Sequence, residues 1–301
     1  MKENAKAMVL GAFLADSLSL GVHWIYDVNR IKKEFGRVES LLKPLPDSYH
    51  PTKDRGEFTH YGDQMMVLLE SVSAKGRFDL EDFSSRWRAL FKDYRGYLDR
   101  ATEATLKNFA SGKSIPDAGS HSSELAGAAR IAPLAFLLRD NEDALVKAAV
   151  AQTRMTHNNP LVIASAEFFS RACRKVLLGA SPTSAIASVA DEHFKTSPLY
   201  EWVKRGIDSR DKDSVSAITA FGQSCEVDHA FPGTVHLISK YENDFKEALI
   251  QCAISGGDSA ARGMIIGMLL GAYHGESHLP QEWVLSLKKG RDIVKLLDKI
   301  P

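Results

Sequence analysis

Asp63 in the stretch HYGDQMMVL and Asp258 in GGDSAARG each stand at the mouth of an apolar, helix-forming run, and Ser259 follows Asp258 directly. Carboxylates and a hydroxyl that converge from separate helix starts supply the hard oxygen ligands that Mg²⁺ accepts, with waters completing the octahedron. The Gly256-Gly257 pair lets backbone approach an ion or a phosphate closely, and free N–H groups at the same helix starts suit an anion. Asp and Ser are also favoured N-cap residues, stabilising a helix by around 1 kcal/mol each, so capping alone accounts for either acid taken singly. Histidines 23, 60, 121, 157 and 229 fall near these and related stretches, and imidazole serves as acid, base or ligand. His60, beside Asp63, ranks first among them and His157 second; with Ser120 they form the expected substrate-binding set. Glu57 and Glu124 offer further acids on loops, and Trp24 and Tyr26 in GVHWIYD offer rings that can stack on a base.

These residues need a scaffold, and the apolar spacing is helical nearly everywhere. In the segment after Asn159, that residue can cap, Pro160 suits the first turn and Gly179 can close the helix. QMMVLLESVSAKG behaves likewise, with Asp63 before it and Gly76 at its end. Further helical patterns cover 79–109, 124–139, 142–152, 182–194, 198–206, 232–253 and 281–298, and alternating Val/Ile/Thr-rich strands are missing. The expected fold is all-α, a single domain over 1–301. Two long loops, 43–62 and 111–123, stand out on this scaffold, and long ordered loops often carry function.

Two stripes of small residues join the ends of the chain. Gly263, Gly267, Gly271 and Gly275 recur at every fourth position, as do Ala7, Gly11, Ala15 and Ser19. A four-residue step drifts only about 40° around a helix, so each series is a narrow strip over which backbones can approach closely. Interior glycines cost about 1 kcal/mol apiece relative to alanine, which implies a return in packing. The first helix and the 259–274 helix are therefore expected in the central core; if they lie against each other, Asp16, on the first stripe's helix, is a buried or half-buried acid.

Composition narrows the partners. Lys+Arg and Asp+Glu both number 38, so no global field attracts nucleic acid or an anionic membrane. Cys173, Cys225 and Cys252 are scattered and odd in number, which points to neither a disulfide framework nor a zinc site. The apolar run after Lys6 is broken by Asp16, with Glu3 ahead of it, against an export signal. A cytoplasmic protein of unspecified oligomeric state is expected.

Five stretches, in order, resemble the motifs of the ADP-ribosylglycohydrolase family, which includes dinitrogenase-reductase-activating glycohydrolase and the J1 crystallins. AMVLGAFLADSLSLGV is similar to GxxxGxxxGDxLG, with Gly11 and Asp16 in place; HYGDQMMVL stands where the family has TDDTxM; AGAARIAPL resembles GNGAAMRxAPL, keeping Arg130 and Pro133; Thr156-His157 matches a TH motif; and GGDSAARGMIIGMLLGAYHG lies on GGDTDTxAxIxGAxxGAxxG. The resemblance implies an all-α enzyme that holds two Mg²⁺ or Mn²⁺ ions between the two acidic clusters and hydrolyses a glycosidic bond of ADP-ribose, usually on a modified protein. Carried across, Asp63 and Asp258 are catalytic and, with Ser259, metal ligands, while Asp16 supports them from behind.

The departures are as informative. Gly62 and Tyr61 replace the first acid and the Thr of one cluster; Ala260 and Ala261 replace the second acid and the last Thr of the other; His23 stands where a glutamate is frequent. Two acids remain of four, and lost ligand charge weakens Mg²⁺ binding. The expectation is one Mg²⁺ or Mn²⁺ at most, or none with Asp63 paired to a cation. Two functions stay open: hydrolysis of an ADP-ribose-like small molecule or an ADP-ribosylated substrate, or a non-catalytic binding or structural role like that of the J1 crystallins.

Overall fold

The structure, a computed structural model, describes residues 2–301. Helices dominate it, and among the described residues the only β pairing is two isolated bridges, Ser120 with His157 and Glu124 with Glu226. At its centre the first helix (Lys2–Ser19) lies along the Ser259–His274 helix, and both are buried over most of their length. The small-residue stripes face each other. A Cβ on Gly11 would be driven into the Gly267 carbonyl, and one on Gly267 into the Gly11 carbonyl. A Cβ on Gly271 would stand 2.5 Å from the Ala7 oxygen. The missing side chains are what let the two backbones touch, and dispersion over that long contact offsets the glycines' helix cost. Around this pair the buried apolar side chains join in one cluster. No helix of the described residues is long and apolar enough to cross a membrane.

Several elements differ from the sequence expectation. The 79–109 pattern is two helices, Leu80–Leu90 and Arg100–Ala110. Asp99 starts the second by accepting the Thr102 N–H at 2.5 Å, which frees 91–99 to form a loop. The 232–253 pattern also divides, into Val227–Lys240 and Phe245–Ile254, because Asp244 caps the latter. Pairs of short helices replace the 124–139 and 281–298 patterns, and helices at Val28–Glu34 and Ser214–Phe221 had no predicted counterpart. The helix expected to begin after Asp63 begins at His60, since Thr59 caps it by accepting the Tyr61 N–H at 3.1 Å. Asp63 thus lies in the first turn of that helix and is not its cap.

Candidate functional site

The GGD turn sets the floor of the site. Gly256 and Gly257 have φ of +72° and +65°, and a Cβ on Gly257 would meet the Gln223 side chain at 2.6 Å, so only glycine fits both the conformation and the space. The turn clamps two other segments. Gly257 accepts the Trp24 N–H at 2.8 Å and donates its own to Ile25 at 2.9 Å, while the Asp258 N–H reaches the Gln223 carbonyl. Arg262, fully buried, donates to the Gly256 and Gln223 carbonyls from beneath. Trp24, held by this clamp, is the one non-glycine residue among those described with positive φ, at +63°.

Asp258 is buried and caps its helix, accepting the Ala261 N–H at 3.0 Å. The Tyr61 hydroxyl stands 3.3 Å from its other oxygen and His23 Nδ1 lies 3.8 Å away. Burial raises the Asp258 carboxyl to about 6, against the Ala261 N–H and Arg262, which act to lower it. Burial, with His50, His60 and Arg262 adding, holds His23 neutral, well below its ordinary value. The Ser259 hydroxyl is buried without a partner.

Asp63 has other company. Its Oδ2 takes the Lys53 ammonium at 2.5 Å and the Tyr94 hydroxyl at 2.6 Å. Beside it, Asp16 is fully buried and accepts the Thr59 N–H at 2.9 Å and the Thr59 hydroxyl at 2.5 Å. Burial wins over those two donors, and the carboxyl rises to about 7. A Cβ on Gly62 would stand 2.7 Å from Asp16 Cγ and 2.8 Å from Phe58 Cβ, so Asp16 fills the space that any side chain at position 62 would need.

His60 is buried in a relay of rings and acid. Its Nε2 lies 3.0 Å from Asp99 Oδ2, and its Nδ1 lies 3.2 Å from His50 Nε2. Burial alone would raise Asp99, but His60 and the Thr102 N–H outweigh it and hold the carboxyl below the usual range. Burial, then His60 and Lys53, lowers His50 to about 2. His157 Nδ1 meets the Thr156 hydroxyl at 2.9 Å, and its Nε2 faces Glu124 at 3.7 Å. Ser120 donates to the Thr156 carbonyl at 2.8 Å, which ties the 111–123 loop to the His157 turn. Buried Arg130 joins Thr156 to Gln64. Above lies a cavity of about 240 Å³ lined by Trp24, Tyr49, Tyr97, Asp99, Arg100 and Glu124, among others.

The family profile for ADP-ribosylglycohydrolase matches residues 1–301. The chain belongs to the ADP-ribosylglycohydrolase family. Similar proteins include crystallin J1A of Tripedalia cystophora, 26% identical over 99% of this chain and 96% of its own length. ADP-ribosyl-[dinitrogen reductase] glycohydrolase of Rhodospirillum rubrum is 23% identical over 99% and 95%. A solved ADP-ribosylglycohydrolase-related protein complex shares the fold with a TM-score of 0.78 and 22% identity, covering 99% of this chain and 97% of the other.

Against the pair of ions that the ADP-ribosylglycohydrolase motifs imply, these side chains fit poorly. Asp63 already carries an ammonium and a phenol, Asp258 spends one oxygen on its helix, and Asp16 closes the space beside Gly62. Lys53 and Arg262 bring protein-borne positive charge to the two remaining acids. Among the described residues, one group of three ligand-type side chains lies within 4.8 Å, Glu226, Asp228 and His229, and it contains neither Asp63 nor Asp258. Sequence reasoning missed Lys53, Tyr94, Tyr97, His50, Asp99 and Arg262. The signal for Tyr94, Tyr97 and Asp99 was Gly96 in RGYLD, which interrupts the predicted helix.

Proposed function

We propose that this chain is a metal-independent ligand-binding member of the ADP-ribosylglycohydrolase family, which holds a small molecule in the motif cleft without hydrolysing it. The Lys53 ammonium on Asp63 carries this reading. An ion pair only 14% and 20% exposed is screened little by water, and a divalent ion would have to displace it before gaining the carboxylate. Asp258, raised by burial to about 6, favours a neutral acid more than an ordinary carboxylate does, which further weakens a cation site. The relation to J1 crystallin fits this reading. The test has two parts: titration of Mn²⁺ followed calorimetrically, and release of ADP-ribose from mono-ADP-ribosylated protein with Mg²⁺ or Mn²⁺. The expected result is no Mn²⁺ site and no release above the rate without protein. Release that is lost in both Asp63→Ala and Asp258→Ala would overturn the proposal.

One observation favours hydrolysis instead. The orphaned Ser259 hydroxyl lies beside Asp258, and a single Mg²⁺ or Mn²⁺ on Asp258, Ser259 and Asp63 would give that hydroxyl a partner. In that scheme Asp258, Ser259 and Asp63 would hold the ion, which would supply Lewis-acid chemistry, and His60, Ser120 and His157 would serve the substrate. The same release assay separates the two.

A further inference from the structure

Trp24, Tyr49 and Tyr97 meet as three nearly perpendicular planes. Trp24 and Tyr49 are 5.1 Å apart at 84°, Trp24 and Tyr97 5.0 Å at 81°, and Tyr49 and Tyr97 5.3 Å at 80°. Such edge-to-face contacts are favourable in themselves, but the corner they make is not sealed: all three line the cavity of about 240 Å³, and Tyr49 is 51% exposed. Trp24 is also held at positive φ by its bond to the GGD turn, a conformation costly for a bulky residue and concentrated at functional sites.

The polar walls have one dominant sign. Asp99 and Glu124 both line the cavity; Asp99 is held by His60 and the Thr102 N–H, whereas Glu124 Oε2 is buried with no hydrogen-bond partner and faces His157 Nε2 at 3.7 Å, beyond bonding reach. The cation in this lining, Arg100, is exposed. Buried acceptors are almost always paired, so a carboxylate oxygen beside aromatic rings, with the His157 imidazole too far away to bond it, leaves room for a positive group. Aromatic faces attract a cation within about 6 Å through the ring quadrupole, and the carboxylates add charge neutralisation at the same place. An anionic group meets repulsion there.

We infer that the corner formed by Trp24, Tyr49 and Tyr97, with Glu124 and Asp99 behind it, binds an alkylated ammonium group of the size of choline's head. This rests on the cleft being a ligand-binding site, as proposed above. Its weakly hydrated charge can leave water cheaply, settle against rings and still neutralise Glu124.

The test is titration of the intact protein with choline and with 3,3-dimethyl-1-butanol, the neutral isostere, followed by tryptophan fluorescence and calorimetry. Choline should bind saturably, and the isostere roughly tenfold more weakly. Tyr49→Ala, at an exposed position that tolerates truncation, and Glu124→Gln, which keeps the shape, should each weaken choline roughly fivefold or more. Trp24→Phe should retain binding better than Trp24→Ala. Equal affinity for choline and its isostere, no saturable choline binding, or full affinity in Glu124→Gln would overturn the inference. Loss of choline binding with ADP-ribose still bound defeats this inference alone. Metal-dependent release of ADP-ribose defeats the proposed function and leaves choline binding standing.

Discussion

Asp16 shows how burial and hydrogen bonding compete within one carboxyl. Two Thr59 donors favour the charge, yet removal from water prevails and the folded carboxyl titrates near 7, against 3.8 when unfolded. Between those values the folded state keeps a proton that the unfolded chain has released, so stability falls as pH rises through the interval. The contribution is fully present below about 3.8 and gone above about 7, and it amounts to on the order of 4 kcal/mol. Urea unfolding at pH 4.5 and 7.5 should therefore show the wild type losing markedly more stability than Asp16→Asn over that range. Parallel curves would show that the Thr59 bonds, and not burial, set the charge. The same carboxyl sets the space at Gly62: as Asp16 and Phe58 lie here, a side chain at that position would clash with both.

Along the helices, the two glycine stripes predict unequal consequences for equal substitutions. In Gly267→Ala the new methyl meets the Gly11 carbonyl, which is backbone and cannot rotate away. In Gly263→Ala it meets Ser19 Oγ at 3.3 Å and Ala15 Cβ at 3.4 Å, which need to yield only slightly. Thermal unfolding should show Gly267→Ala destabilised by about 2 kcal/mol or more. Gly263→Ala should stay within about 1 kcal/mol of wild type, because the better helix propensity of alanine offsets mild crowding. Similar losses at the two positions would mean that the close approach at Gly11–Gly267 does not hold the central pair together.

For the whole molecule, Lys53 on a loop and Arg262 on the central helix bring positive charge to Asp63 and Asp258, and in the proposed function that charge takes the place of the ions that the family motifs imply. A divalent ion bound only by the folded state would raise stability by about 2.7 kcal/mol at a hundredfold excess over its Kd, a shift of several degrees. Melting curves with excess Mn²⁺ and with a chelator should instead coincide. A rise with Mn²⁺ that disappears in Asp63→Ala would place an ion in the folded protein and contradict the ion-pair account.

The sequence by itself determined the helical class, the two small-residue stripes and the family, because 3.6-residue periodicity, capping residues and ordered motifs are local signals. The caps at Asn159 and Asp258 and the stop at Gly179 were legible for the same reason. A cation on Asp63 was one of two alternatives left open, but which side chain would supply it was not legible. Lys53 lies ten residues from Asp63, in a loop without period, and Tyr94 and Tyr97 lie in a segment whose spacing imitated helix. Only the tertiary structure decided that Lys53 closes on Asp63, that Asp16 fills the space beside Gly62, and that Trp24, Tyr49 and Tyr97 meet over Glu124. Those are contacts between distant segments, set by how helices pack and loops close over them, and no local pattern encodes which side chain a buried charge will find.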